Sequence, residues 1–183
     1  GYKNHRNLTA LQSGLHTADF ANLELAWVLA FPNVTMMRSQ PAIVGNTLFM
    51  TPVESQQVYA FDIAGSPCLK WAHTADSVLR TSLTYGHLPG VGGKAVLIFG
   101  SASASVHMID AGTGAALWQT SLKRFPESII TGTPQLVGDR VYASASQFEI
   151  MVGANPAHEC CKASGAVASL DALTGEIVWL TPT

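Results

Sequence analysis

Charge is scarce in this chain. Lys and Arg number 10 and Asp and Glu 12, together 12% of 183 residues, for a net charge of −2. So near-neutral a chain has no electrostatic footprint for nucleic acid or an anionic membrane face. No stretch approaches the roughly 18 consecutive apolar residues that a spanning helix needs. The three cysteines are too few for a disulfide scaffold, and neither C-x-x-C nor the C-x-x-C-H haem signature occurs. The six histidines show no ligand spacing of the H-E-x-x-H kind. A Gly-x-Ser-x-Gly elbow is missing, and Cys68 has no identifiable base partner. Gly112-Thr113-Gly114 lacks the third glycine of a dinucleotide fingerprint and lies between two strands. Gly92-Gly93-Lys94 is followed by Ala95 where a phosphate loop carries Ser or Thr. No signal peptide is visible, and an initial Gly1 points to a mature or trimmed chain. Asn7-Leu8-Thr9 and Asn33-Val34-Thr35 are sequons only if the protein is a eukaryotic secreted one.

What the chain does have is a core's worth of apolar residues, 48% of the total, and a repeat. The stretch from Ala168 through Asp171, Thr174 and Gly175 to Trp179 rewrites the one from Ser105 through Asp110, Thr113 and Gly114 to Trp118. A looser copy runs from Val58 through Asp62 and Gly65 to Trp71. Each reads as a hairpin: alternation into Asp, a turn, then a strand carrying Trp. The Asp suits turn amides, Gly a positive φ, and Trp a slot between neighbouring sheets. The Asp residues stand 48 and 61 residues apart and the Trp residues 47 and 61, so the third unit carries an insertion upstream of its hairpin. A period of roughly 40–50 residues with four strands per unit signals a β-propeller. Recurrence in every turn makes Asp62, Asp110 and Asp171 architectural.

The chain divides accordingly. Residues 1–36 form an N-terminal arm and, over Leu23–Val28, a latch strand ending like the repeat's fourth. Blade one spans 37–76, blade two 77–124 and blade three 125–183, with a loop insertion at 147–164 that Gly153 and Pro156 keep out of strand. Arg80–Tyr85 and Ile129–Val137 read as inner strands. The fold class expected is all-β: an incomplete propeller of three four-stranded blades plus the latch. Closed propellers take about four to eight blades. Three cannot close, so both lateral edges need covering by another chain or by further blades. Loops from second to third strand, and from one blade to the next, emerge on one face, where function resides on such folds. That face collects Arg38, Gln40, Arg80, Ser101–Ser105 and the insertion.

With the repeated Trp hairpin, Arg80-Thr81 after the first Trp, Cys68 before it, and Ala154-Asn155-Pro156-Ala157-His158-Glu159-Cys160-Cys161 ahead of the third, the chain resembles the pyrroloquinoline-quinone (PQQ)-binding propellers. The branch it is most similar to is the polyvinyl-alcohol-dehydrogenase-like one. The likeness runs from about residue 20 to 183, with departures at Gly65-Ser66, at His107-Met108 and at Ser164 before Gly165. The resemblance implies a PQQ-dependent alcohol dehydrogenase, active once another chain completes its ring. It also implies PQQ and calcium as cofactors, a cytochrome as electron acceptor, and a periplasmic or otherwise extracytoplasmic location. Arg80, whose planar fork suits a quinone carboxylate, and Cys160 and Cys161, as a vicinal disulfide, are the cofactor-binding residues it implies. Two reduced thiols are the other reading of that pair. Glu149 and Asn155 offer hard oxygens of the type calcium takes. No catalytic base is assigned. The alternative is a non-catalytic propeller scaffold or accessory subunit.

Overall fold

The computed structural model describes residues 10–90, 92–159 and 162–183. Its three antiparallel sheets follow one another along the chain. Blade one is β1 (Ala42–Val44), β2 (Thr47–Met50), β3 (Gln57–Asp62) and β4 (Cys68–Thr74), in that order. Blade two is β5 (Thr84–His87), β6 (Ala95–Gly100), β7 (Ser105–Asp110) and β8 (Ala116–Ser121). Blade three comprises the two-residue β9 (Ser128–Ile129), β10 (Gln135–Val137), β11 (Arg140–Gln147), β12 (Ala166–Asp171) and β13 (Ile177–Pro182). Within each blade every strand is hydrogen-bonded to its sequence neighbour, except β9, which pairs with the far end of β11.

The three hairpins are built alike. Asp110 Oδ1 accepts the amides of Gly112 (2.8 Å) and Thr113 (2.9 Å), and Asp171 Oδ1 those of Leu173 and Thr174. Gly114 and Gly175 close these turns at φ +74° and +76°. In the first copy Asp62 holds one amide, that of Ala64. A register shift recurs just upstream of the turn, at Ala60/Phe61, Met108/Ile109 and Ser169/Leu170. Such a bulge sharpens strand twist, and it falls where each blade hands its tryptophan forward. The Trp71 ring lies where a Cβ on Gly114 would sit, 2.7 Å from it, and the Trp118 ring 2.6 Å from the same point on Gly175. Trp118 Nε1 donates to Ala172 O at 3.0 Å. Residues two places on add a second tie: His73 Nδ1 meets Gly114 O at 2.9 Å and Thr120 Oγ1 donates to Gly175 O at 2.6 Å.

Between blades one and two, Phe49, Val58, Leu79, Leu97 and Phe99 pack into one buried cluster, and between two and three Val96, Ile98, Met108, Val141 and Leu170 form a second. A third lies on the outer side of blade one, where Leu29 and Phe31 cover Leu48, Met50 and Phe61. Phe31 stacks on Tyr59 at 5.2 Å between ring centroids.

Two expectations need correction. Leu23–Val28 forms no strand, and Leu25 and Val28 are exposed. A latch needs a ladder partner, and none of the three sheets supplies one. The inner strands are also shorter than the alternation suggests. Before β5, Leu79 makes a single bridge to Ser101, and Thr81 Oγ1 then takes both backbone groups of Gly100, accepting from N (3.0 Å) and donating to O (3.2 Å). A side chain there replaces the ladder. In blade three, Gly132 and Pro134 separate β9 from β10, and proline has no N–H for a ladder. The insertion is mostly loop, with one helical turn, α1 (Glu149–Val152).

Candidate functional site

Arg80 emerges between two buried neighbours, Leu79 and Thr81. Its backbone is fixed on one side by the bridge at Leu79 and on the other by Thr81 around Gly100. The half-buried guanidinium lies over the Phe148 ring, 5.7 Å from the centroid. Among the described residues it has no ion pair and no hydrogen bond, which leaves its five N–H donors available. Arg80 and Phe148 line a cleft of about 370 Å³ between blades two and three, together with Val78, Ala102, Pro126 and Glu127. The cleft opens where the β6–β7 loop and the insertion meet, on the face anticipated from the loop order.

The insertion's two oxygen donors are already engaged. Glu149 Oε1 meets His158 Nε2 at 2.9 Å, and Asn155 Oδ1 accepts the Ala157 amide at 3.0 Å. Among the described residues no group of three or more His, Cys, Asp or Glu side chains gathers as a metal site. Cys160 and Cys161 lie outside the described residues; Cys68 is exposed and free.

The alternation missed a polar cluster beside the cleft. His107, on β7, is 3% exposed and stacks flat on Phe99 (4.9 Å, 6°). Its Nε2 meets Asp76 Oδ1 at 3.0 Å and Ser101 Oγ at 3.4 Å. Asp76 Oδ2 accepts from Ser103 Oγ (2.6 Å) and Gln119 Nε2 (2.8 Å). Burial pulls the His107 imidazole below its ordinary 6.5, against the pull of the Asp76 carboxylate. Burial pushes Asp76 up, but hydrogen bonds from Ser103, Ser101 and Ser105, with His107, outweigh it and hold the carboxyl below 3.8. A hydrolytic triad puts acid and nucleophile on opposite ring nitrogens; here both meet Nε2, so the cluster is no such triad. The signal was in the sequence: three residues before the turn Asp, the other hairpins carry Tyr59 and Ala168.

A second cavity, about 620 Å³, runs along the inner strands and is lined by Val44, Tyr85, His87, Gln135, Leu136 and Gly138 among others. Tyr85 Oη lies 3.3 Å from His87 Nε2. Composition and spacing gave no hint of it, because it forms only when three inner strands converge.

Four-stranded antiparallel blades, joined by forward-docking tryptophans and bearing their cleft on the loop face, define a sector of a quinoprotein-type β-propeller. The PQQ_2 family model, described as outer membrane protein assembly factor BamB, matches residues 8–161, and the chain belongs to this family. It is 32% identical over 171 residues to a polyvinylalcohol dehydrogenase of Pseudomonas sp, covering 93% of this chain and 26% of the relative. To that of Sphingopyxis sp. it is 34% identical over 166 residues, covering 90% and 25%. Among solved structures, a europium-containing methanol dehydrogenase superposes with a TM-score of 0.72, at 23% identity, over 92% of this chain and 28% of that one. BamB from Moraxella catarrhalis gives 0.54 at 22% identity, over 79% and 35%. These two likenesses carry the fold. The chain spans about a quarter of the length of the curated relatives it matches.

Proposed function

We propose that this chain is one sector of a PQQ-dependent alcohol dehydrogenase of the polyvinyl-alcohol type, working once the rest of the ring is supplied by further blades or by another chain. The observation that carries the reading is Arg80: a half-buried guanidinium with no ion pair among the described residues, laid over Phe148 at the mouth of a cleft. Such a fork binds a carboxylate through two parallel N–H···O bonds, and an aromatic floor suits a flat, anionic ring system. Arg80 holds and orients a cofactor carboxylate, and Phe148 shields that contact from water. When bound, the quinone supplies the two-electron oxidant that accepts the alcohol's hydride. Cys160 and Cys161 are cofactor-contact candidates by family likeness, and an oxidised pair would place the protein in an extracytoplasmic compartment. Calcium at Glu149 and Asn155 has to displace His158 and the Ala157 amide and to draw its other ligands from elsewhere, so no step is assigned to it. A cytochrome takes the electrons onward.

A second reading, a non-catalytic scaffold or accessory subunit, is favoured by one feature. On α1, Ile150 is 83% exposed and Met151 64%, an apolar surface on the loop face of the kind that partner proteins cover.

The test uses material purified in its native assembly. Addition of PQQ and calcium is expected to give a protein-bound quinone absorbance and reduction of an artificial acceptor by a secondary alcohol. Arg80→Ala is expected to weaken quinone binding by about tenfold or more, the worth of a charge-assisted pair. A wild-type assembly that neither binds quinone nor turns over alcohol sinks the enzyme reading and leaves the scaffold.

A further inference from the structure

The polar cluster around His107 joins blade two to the segment that enters it, which also carries Arg80. Asp76 sits in the link between β4 and β5, and the side chains that bond it, His107, Ser103 and Gln119 among them, come from blade two. Two residues on, Val78 O accepts the Ala102 amide at 2.8 Å, and the next residue, Leu79, pairs with Ser101. The segment 76–81 is therefore fastened at its head by a carboxylate and along its length by backbone bonds, and Arg80 lies inside it. The carboxylate also sets one approach angle. Its two oxygens are held by a ring that cannot swing, stacked on Phe99, and by Ser103, itself bonded to Ser105 at 3.0 Å.

We infer that Asp76, held by His107, is the positioning residue for Arg80: it fixes the course of the 76–81 segment so that the guanidinium stands over Phe148 with its donors facing the cleft. This rests on the reading that Arg80 grips a cofactor carboxylate.

The experiment measures PQQ affinity by equilibrium dialysis on the native assembly, alongside amide hydrogen exchange over residues 78–81. Asp76→Ala is expected to weaken binding by about tenfold and to raise exchange in that segment. The variant lacking both Asp76 and Arg80 is expected to bind no more weakly than Arg80→Ala alone, because residues acting through one another are not additive. His107→Gln keeps an N–H donor for Asp76 and is expected to retain most of the affinity, whereas His107→Leu is not. Asp76→Asn, nearly isosteric, serves where the alanine variant does not fold, with a smaller loss in the same direction. Additive losses in the double variant overturn the proposal, as does an unchanged exchange pattern in Asp76→Ala. Failure of the wild type to bind PQQ refutes the cofactor reading of Arg80, and the exchange comparison then decides by itself whether Asp76 sets the segment.

Discussion

The docking tryptophans look interchangeable in the sequence and are not. Trp118 gives its indole N–H to Ala172 O, whereas Trp71 Nε1 is buried with no partner among the described residues. A buried donor without an acceptor costs about 1–3 kcal/mol. Trp118→Phe loses ring area and a hydrogen bond; Trp71→Phe loses area and relieves an orphan. The first is expected to destabilise the protein by about 1–2 kcal/mol more than the second, read from paired denaturation curves. His107 gives the clearest pH signature. Its folded-state pKa lies below the ordinary 6.5, so the unfolded chain takes up the proton first as pH falls. Its contribution to stability is present above about 6.5 and is lost as pH drops through the folded value. Asp76, Asp110 and Asp171, depressed below 3.8, add losses in the same direction at still lower pH. Thermal melting points are expected to fall from about pH 6.5 downward, and His107→Gln should flatten the upper part of that slope. A wild-type melting point that rises over this interval contradicts the assignment.

At the scale of the element, the hairpin turn is where sequence and structure agree most closely. Asp, Thr and Gly at fixed offsets require a tight turn with one positive φ, and Gly114 and Gly175 take it. A Cβ at either position would strike an indole ring at under 3 Å, and the left-handed backbone adds its own penalty. Gly114→Ala and Gly175→Ala are each expected to cost about 2–4 kcal/mol, read as a lowered denaturant midpoint. A cost below about 1 kcal/mol means that the ring has room to retreat. Gly65→Ala, facing open space at an ordinary φ, should be nearly silent. The inner strands were less legible. Apolar alternation marks what is half-buried but not what is paired. Thr81 and Thr84 both sit where a strand is expected, yet Thr81 spends its hydroxyl on the backbone of Gly100 and leaves the ladder. Leu23–Val28 shows the same limit: it has the pattern of a strand and pairs with none of the three sheets. The candidate site was half visible. Arg80 could be named from its place after the first Trp, but the Asp76–His107 pair, 31 residues apart, is brought together only by the pairing of β7 with its neighbours.

At the scale of the molecule, the two flanks differ. Blade one's outer side is partly roofed by Leu29 and Phe31, whereas blade three exposes Val137, Tyr142, Val167, Ile177 and Trp179. An apolar sheet face of this kind invites association. The 183-residue chain by itself is expected to self-associate at micromolar concentration, read by sedimentation velocity, and Val167→Lys with Trp179→Ser should reverse this. A monodisperse, non-associating chain would show that the bare face is not sticky.

The tryptophan contacts run one way only. Trp71 and Trp118 each reach into the turn of the blade that follows, so one flank offers the Trp179 indole and the other the open turn at Gly65. Unlike ends of this sort join head to tail, in a heterologous contact that either closes as a ring or grows into a filament. A two-fold dimer cannot use these surfaces, because it would set indole against indole and leave both turns empty.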